Sequence, residues 1–489
     1  MTSWKNAEKV QAEEAAEKSE DAADEHAGPK ISSNAADFYR AQPVLDRRIH
    51  IMGVGNVGSF IAHALRGLKN PPPVTLIFSN WEKLTKWNES AKKLTLTTDG
   101  DAETQDGYEA EIAIPRIRFH GKEVGLNTDS QASSEPSSES PNQAPQILSG
   151  ESTALISSLI ICSKAPHVLQ GLSAVKHRLH KDSVVLFMQN GMGIVEEVNK
   201  EVFPDPATRP YYMLGINSHG MHSTPGDMFT TVHAGFGTIS LGILPHERER
   251  KADAPYTPDL KFQANPNKAP VYPKLPEELN PDYPPPATTA FKWTPNQRYL
   301  LRTLLRAPVL SATSFSPPDL LQMQLEKLAV NCVINPLTVL LDARNGSILY
   351  NYALTRTLRL LLAEISLVIR SLPELQYIPN VSQRFDPGRL ETRVVNVAQL
   401  TKDNISSMLA DVRGGRQTEI DYINGWIVQR GEELGIRCMC NYMMMQLVKG
   451  KANMVKLETG EGVPFVQDGK QERDGNLKVK EGMASKKDL

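Results

Sequence analysis

The spacing of apolar and polar positions first becomes regular near residue 48. Ile49–Met52 and Val74–Phe78 are short apolar runs with the length of buried strands, and the apolar side chains between them recur every three to four residues, as on one helix face. Asn70–Pro73 ends this helix, because consecutive prolines cannot continue it. The pattern predicts a strand, a helix and a second parallel strand, which is the unit that builds parallel sheets.

The same pattern continues to about residue 245 and then changes. Further strands are predicted at residues 154–162, 183–188, 211–216, 229–232 and 238–244, with helices at 165–179 and 191–202. From residue 295 the period is helical, and helices are predicted at residues 295–305, 318–341, 353–369, 418–434 and 442–456. We therefore predict an α/β Rossmann-type N-terminal domain over residues 44–245, followed by an all-α C-terminal domain over residues 295–458.

Four segments hold too few apolar residues to contribute to a core. Residues 1–43 are rich in Ala, Glu and Lys and predict a disordered or solvated extension. Residues 125–150 are rich in Ser and Pro and predict a disordered insertion, whereas residues 246–294 form a Pro-rich linker longer than compact domains need. Residues 459–489 predict a disordered tail.

Composition narrows the classes of function. The formal net charge of −2 does not favour a nucleic-acid or anionic-membrane binder, and no apolar run is long enough for a transmembrane helix. The four cysteines have neither disulfide-framework nor zinc spacing, so we predict reduced thiols and no metal site. The acidic segment Ala7–Ala27 resembles neither a secretory signal nor a mitochondrial presequence, which favours the cytoplasm without excluding the mitochondrion.

A glycine motif lies between the first strand and the first helix. In Gly53-Val-Gly-Asn-Val-Gly58, the first glycine permits a tight turn, Gly55 leaves room for a pyrophosphate, and the last lets the helix pack closely on the strand. The amides at the helix N-terminus then face the phosphates. We predict a dinucleotide site that includes Asn56 and Val57; the alternative is a glycine-rich turn that binds no nucleotide.

The end of the second strand indicates which dinucleotide is bound. An acidic residue there would bind the ribose 2′-hydroxyl and repel a 2′-phosphate. This chain has Ser79 and Asn80 instead, followed by Lys83 and Lys86, and therefore favours NADPH. The alternative is that the two lysines are solvated helix residues.

One predicted helix carries a narrow polar stripe. Lys327, Asn331 and Asn335 recur every four residues and lie on one side of the helix, whereas most of their neighbours are apolar. A polar stripe on a buried helix indicates a pocket or a satisfied polar network. The alternative is an ordinary solvent-exposed face.

Several separate motifs occur in one order along the chain. They are Ser163-Lys-Ala165, Gln189-Asn-Gly191, His219-Gly220, Thr231–Gly237, Gly242, Lys327-x3-Asn331-x3-Asn335-Pro336, Asn404–Asp411 and Arg416–Gly425. Together they resemble the ketopantoate reductase (2-dehydropantoate 2-reductase) family, in a fungal-type form with insertions. The resemblance covers about residues 48–245 and 295–455.

The resemblance implies NADPH-dependent reduction of 2-dehydropantoate to (R)-pantoate, a step toward pantothenate and coenzyme A. It implies that Lys327 is the general acid, because an ammonium can both stabilise a developing alkoxide and protonate it. It also implies that Glu419 binds the substrate hydroxyl and helps to keep Lys327 charged. The partner is then a small 2-keto acid, and a homodimer is left open.

The family pattern implies roles for further residues. Asn331, Asn335 and Ser407 would bind the substrate, and we place Asn404 with them. Asn190 would lie between cofactor and substrate, and Lys164 near the cofactor. Simpler alternatives exist, since Ser407 or Asn404 could cap a helix and Glu419 could pair with Arg416.

The chain also departs from the family pattern. Ser79-Asn80 stands where the family usually has a basic residue, and Cys438–Asn441 replaces a Thr-Pro-x-Asn run. Two other functions therefore stay open: a reductase of the same mechanism for another 2-keto acid, or a non-enzymatic family member that binds a nucleotide.

Overall fold

The computed structural model describes residues 45–114, 117–119, 122–124, 150–224, 226–247 and 293–461. The predicted extension at 1–43, nearly all of the insertion at 125–150, the linker between 248 and 292, and the tail from 462 lie outside the described residues. Among the helices that are described, none is both long enough and apolar enough to cross a bilayer.

Fourteen strands are described. They are β1 (Ile49–Met52), β2 (Val74–Phe78), β3 (Leu94–Thr98), β4 (Asp101–Gln105), β5 (Tyr108–Ile112), β6 (Ile117–Phe119), β7 (Lys122–Val124), β8 (Ile156–Ile161), β9 (Leu179–Phe187), β10 (Tyr211–Asn217), β11 (Gly220–Thr224), β12 (Asp227–Gly235), β13 (Ile239–Ile243) and β14 (Ala312–Ser314).

Twelve α-helices accompany them in the described part of the chain. They are α1 (Asn56–Arg66), α2 (Trp81–Glu89), α3 (Val168–Val175), α4 (Ile194–Glu201), α5 (Pro295–Leu305), α6 (Pro317–Leu341), α7 (Tyr352–Arg370), α8 (Val381–Arg384), α9 (Pro387–Leu400), α10 (Ser407–Arg413), α11 (Asn424–Glu433) and α12 (Met439–Glu461).

The main sheet has the order β14-β13-β10-β9-β8-β1-β2-β5. All neighbouring strands are parallel except the antiparallel pair β10 and β13. From β1 the chain builds the sheet in one direction, through β2 and β5. From β8 it builds in the opposite direction, through β9 and β10, so the strand order reverses between β1 and β8. In sheets of this type the crevice at such a reversal, beyond the carboxyl ends of the strands, is where ligands bind.

Both faces of this sheet are covered, which explains why its strands are continuous apolar runs. Ile49 and Ile51 pack with Phe60 of α1 on one face. On the other face, Ile161 packs with Leu172 of α3. A smaller sheet, β11-β12-β3-β4, lies against α1. These observations confirm the predicted Rossmann-type α/β domain, followed by a helical C-terminal region.

Helix α6 forms the centre of the helical region and contacts α7, α9, α10 and α12. It contains Pro336, which has no N–H to donate to the carbonyl of Cys332 one turn earlier. The side chain of Asn424, fully buried in α11, donates to that carbonyl at 2.9 Å. The orphan acceptor left by the proline is therefore satisfied from a neighbouring helix.

This arrangement predicts a coupled effect on stability. Asn424→Ala should lower the free energy of unfolding by about 1–3 kcal/mol, because the Cys332 carbonyl is left buried and unpaired. Pro336→Ala restores a backbone N–H at that place, so the double variant should lose less than the sum of the two single changes. Urea unfolding of the four proteins measures this, and strict additivity would contradict it.

Two predictions about elements need correction. The helix predicted at 418–434 begins only at Asn424, after a 3-10 turn at Ile420–Tyr422. The reason is tertiary: the Tyr422 carbonyl accepts a hydrogen bond from the Met192 N–H at 2.8 Å instead of continuing a helix. Elements without a strong apolar period were missed, namely β3, β4, β5, β6, β7, β11, β14, α2, α8, α9 and α10.

Candidate active site

The carboxyl ends of β8, β9 and β10 meet the middle of α6. The turn after β9 contains Gln189, whose side-chain amide donates to the carbonyls of Ile161 and Ser163, both at 2.8 Å. This fixes the turn after β9 against the turn after β8. The next residue, Asn190, is thereby held at the base of a pocket beside α6.

Lys327 projects from α6 toward this turn. Its Nζ donates to Asn190 Oδ1 at 2.9 Å and to the backbone carbonyl of Asn217, at the end of β10, at 2.7 Å. The two acceptors fix the position of the amine. They leave one of its three donor positions for a ligand.

Glu419 approaches the same turn from the opposite side. It is buried, with only 7% of its surface exposed, in the segment between α10 and α11. Its Oε1 accepts from the Ala165 N–H at 3.1 Å and its Oε2 accepts from Asn190 Nδ2 at 3.0 Å. It does not pair with Arg416, which binds Asp411 instead, so the alternative of a surface ion pair is wrong.

Asn190 therefore joins the two ionisable groups. Its amide oxygen accepts from Lys327 and its amide nitrogen donates to Glu419, which fixes the orientation of the amide plane. The neighbouring Gly191 makes the approach possible, because it has a φ of +83° and an added Cβ would lie 2.3 Å from the Tyr422 carbonyl oxygen. The structure thus brings Lys327, Asn190 and Glu419 together.

Burial acts on both charges. It lowers the pKa of the Lys327 ammonium to about 8, while the nearby Glu419 carboxylate acts in the opposite direction. Burial also raises the pKa of the Glu419 carboxyl, opposed by the hydrogen bonds from Asn190 and Ala165. An amine with a pKa near neutrality can exchange a proton at physiological pH, as a general acid must.

The pocket beside Lys327 is lined by Gln189, Asn190, Gly191, Gly215, Ile216, Gln324, Lys327, Leu328 and Asn331. Asn331 thus lines the pocket that contains Lys327, and its contact with the substrate stays a prediction. Asn335, one turn further along α6, is buried and does not line this pocket.

Ser407 and Asn404 have a different environment. Both are exposed, and among the described residues neither side chain hydrogen bonds to Lys327, Asn190 or Glu419. The alternative that either one caps a helix is wrong, because the cap of α10 is Ser406, whose hydroxyl accepts from the Leu409 N–H at 3.1 Å. Their role in substrate binding stays a prediction.

Lys164 follows β8 and forms an ion pair with Asp411 of α10, which is buried. Asp411 also binds Arg416 at 3.2 Å. The expected position of Lys164 near the cofactor therefore stays a prediction, and in this structure its ammonium joins the α/β domain to the helical region.

The glycine turn fits a dinucleotide. Gly55 is the N-cap residue of α1 and no side chain caps this helix, so its first amides are available to an anion. An added Cβ on Gly55 would meet no atom within 4 Å, whereas one on Gly58 would lie 2.2 Å from the Gly53 carbonyl oxygen. The turn thus packs tightly on the protein side and is open on the ligand side. The same turn also contains Gly53, Asn56 and Val57. Asn56 Oδ1 accepts a hydrogen bond from the Ser223 hydroxyl at 2.9 Å.

This contrast predicts different outcomes for two substitutions. Gly55→Val should leave the melting temperature unchanged but raise the Kd for NADPH by about tenfold or more, since the new side chain occupies ligand space. Gly58→Ala should instead cost about 1–3 kcal/mol of folding stability through overpacking. Thermal melts and fluorescence titration with NADPH separate the two effects. Gly55→Val with unchanged affinity would contradict the dinucleotide site.

The polar residues that follow β2 differ in their surroundings. Ser79 is exposed, while the Asn80 side chain accepts from the Lys83 N–H at 2.9 Å and caps α2. Lys86 pairs with Glu82 at 2.6 Å and agrees with the alternative of a solvated helix residue. Lys83 is exposed on the same helix, and its charge adds to burial and to the charge of Lys164 in lowering the pKa of His167. Its contact with the cofactor stays a prediction.

Sequence reasoning missed three groups at this site. The Asn217 carbonyl and the Ala165 N–H are backbone groups, and no residue type marks them in the sequence. Gln324 carried a usable signal, because it lies three residues before Lys327 and therefore on the same side of the helix.

Comparison with known proteins finds two family models and several relatives that this chain resembles. Residues 49–246 match the family model described as Ketopantoate reductase PanE/ApbA, and residues 319–452 match Ketopantoate reductase PanE/ApbA C terminal. The chain is 27% identical over 417 residues to "Probable 2-dehydropantoate 2-reductase" of Schizosaccharomyces pombe, covering 84% of this chain and 98% of that protein. It is 26% identical over 435 residues to "Ketoisovalerate reductase" of Beauveria bassiana, covering 81% and 80%.

A solved structure extends the comparison to the fold. D-mandelate dehydrogenase with NADH and anilino(oxo)acetate matches with a TM-score of 0.54 and 15% identity, covering 83% of this chain and 99% of that one. Together with the two family models, which cover both the α/β domain and the helical region, these matches show that the chain belongs to the ketopantoate reductase family of oxidoreductases.

Proposed function

We propose that this protein reduces 2-dehydropantoate to (R)-pantoate with NADPH, a step toward pantothenate and coenzyme A. The observation that carries the proposal is the linked trio of Lys327, Asn190 and Glu419, which lies beside the strand-order reversal where the glycine turn is found. An amine that is held in a fixed position next to a dinucleotide site is suited to reduction of a carbonyl.

Each residue of the trio has a separate task. Lys327 donates a hydrogen bond to the keto oxygen and then protonates the alkoxide that develops there. Glu419 keeps negative charge near this amine and so favours its protonated form. Asn190 transmits no proton; it holds the amine and the carboxylate in a fixed relation. Asn331, and beyond it Asn335 and Ser407, would bind the carboxylate end of the substrate.

NADPH would supply the hydride when bound. The turn from Gly53 to Gly58 and the N-terminus of α1 would hold its pyrophosphate. Ser79 and the amide nitrogen of Asn80 would bind near the ribose, and Lys83 would neutralise the 2′-phosphate. Supporting this choice, Ser79 and Asn80 stand where an acidic residue would repel a 2′-phosphate, and Lys83 is exposed close by, whereas Lys86 is paired with Glu82.

The direct experiment follows NADPH oxidation with 2-dehydropantoate as the acceptor, repeated with NADH. We expect turnover that requires both reactants and is faster with NADPH. A protein that binds NADPH but oxidises none of it in the presence of the keto acid would overturn the proposal.

A second candidate function is reduction of another branched 2-keto acid by the same mechanism. The relative from Beauveria bassiana favours it, since its name assigns it ketoisovalerate. A panel of keto acids compared by kcat/KM decides between the two. Equal or better turnover of 2-ketoisovalerate than of 2-dehydropantoate would favour the second candidate. A homodimer and a cytoplasmic location stay predictions.

The lowered pKa of Lys327 predicts a pH dependence. The amine must be protonated to act as an acid, so activity is present below its pKa of about 8 and is lost as the pH rises through that value. Log kcat/KM for reduction should therefore fall above pH 8 with a slope of about −1. A profile that stays flat to about pH 10 would contradict Lys327 as the proton donor.

A further inference from the structure

We propose that Gln324 recognises the terminal hydroxyl of the 2-keto acid and is a specificity-determining residue of the pocket beside Lys327. The inference rests on the proposed reductase function. It deepens that function by naming a side chain that distinguishes a hydroxylated keto acid from an unhydroxylated one.

The geometry of α6 places Gln324 in the pocket. It lies three residues before Lys327, four before Leu328 and seven before Asn331, and these spacings put all four side chains on one helix face. All four line the same pocket. Gln324 occupies the end of this row opposite to Asn331, so the keto acid bound at Lys327 lies between two amides.

Gln324 also has hydrogen-bonding capacity to offer. It is half-buried, and within the described part of the chain its side chain makes no hydrogen bond. Two nearby glutamines differ, since Gln322 binds Arg384 and the Pro318 carbonyl, and Gln189 binds two carbonyls after β8. Those two glutamines have structural partners, whereas the Gln324 amide is available to a ligand.

The lining of the pocket indicates which end of the substrate Gln324 meets. A branched 2-keto acid has its carboxylate on one side of the carbonyl and its apolar branch on the other. The apolar side chains of the pocket are Ile216 and Leu328, and Gln324 lies one turn from Leu328 on the same face. With the branch against these two residues, a hydroxyl at the end of the branch reaches Gln324, whose amide can accept its proton and donate to its oxygen.

The position of Glu419 supports this assignment. Family resemblance implies that Glu419 binds the substrate hydroxyl, but here its two oxygens accept from Ala165 and Asn190. Glu419 is also absent from the lining of this pocket. At the apolar end of this pocket, beside Ile216 and Leu328, the polar side chain nearest to the hydroxyl is therefore that of Gln324.

The test compares two substrates that differ only at the hydroxyl. Gln324→Met keeps the length of the side chain and removes its amide, and it is measured with NADPH and either 2-dehydropantoate or 3,3-dimethyl-2-oxobutanoate. We expect kcat/KM to fall about tenfold or more for the hydroxylated acid, and to stay nearly unchanged for the acid that lacks the hydroxyl. Gln399→Met, on the exposed surface of α9, is the matched control and should change neither value.

The outcomes are distinguishable. Equal losses for both acids, or no loss for either, would overturn the role of Gln324 while leaving the reductase function intact. A wild-type protein that reduces neither acid would overturn the proposed function, and this inference with it. If Gln324→Met does not fold, as judged by its thermal melt, Gln324→Ala and Gln324→Asn are measured in the same way and must show the same selective loss.

Discussion

Replacement of Lys327 by alanine should lower kcat for keto-acid reduction by about 10³-fold, within the range that a general acid contributes. The reason is that Lys327 Nζ is the amine fixed by Asn190 and the Asn217 carbonyl at the pocket wall. NADPH binding should be retained, because the glycine turn before α1 does not involve this side chain. Initial rates and a fluorescence titration with NADPH measure both quantities.

The matched control is Lys456→Ala, which removes an exposed lysine from α12 and should leave the rate unchanged. A thermal melt of each variant checks that the fold is kept. Full activity in Lys327→Ala would remove the assignment of this residue as the acid. Loss of NADPH binding together with activity would instead indicate a structural role.

Replacement of Glu419 by glutamine should have the second-largest effect, a fall in kcat of about 10²-fold. The change removes the negative charge that favours the protonated form of Lys327. It also sets a side-chain N–H against the donors of Ala165 or Asn190, since a glutamine cannot accept at both atoms.

A pH profile separates this explanation from simple misfolding. Since Glu419 raises the pKa of Lys327, its neutralisation should move the alkaline loss of activity to lower pH than in the wild type. Glu89→Gln, at an exposed position in α2, should not move it. A reduced rate with an unshifted profile would mean that Glu419 does not act through Lys327.

Local spacing was enough to predict part of the site. Lys327 and Asn331 follow from a four-residue period on an otherwise apolar helix, and the glycine turn follows from its place between a strand and a helix. The contacts among Lys327, Asn190 and Glu419 could not be derived in this way. These residues are up to 229 positions apart, and tertiary packing brings them together.

Other features of the site and the fold could not be predicted, because the sequence does not show which of several similar residues makes a given contact. Ser406 and Ser407 are adjacent and identical in type, yet only Ser406 caps α10 and binds Thr338. In the fold, β4 was missed because most of its residues are exposed and show no apolar alternation. The Asn424 contact with the Cys332 carbonyl becomes necessary only because Pro336 removes a donor one turn away.

The most direct measurement is a crystal structure of the ternary complex with NADP⁺ and a non-reducible 2-keto acid analogue. We predict that the carbonyl oxygen of the analogue lies within hydrogen-bonding distance of Lys327 Nζ, with Glu419 held on the far side of Asn190 and the nicotinamide ring beside the carbonyl carbon. An analogue bound with its carbonyl directed away from Lys327, or in a different cavity, would contradict the mechanism.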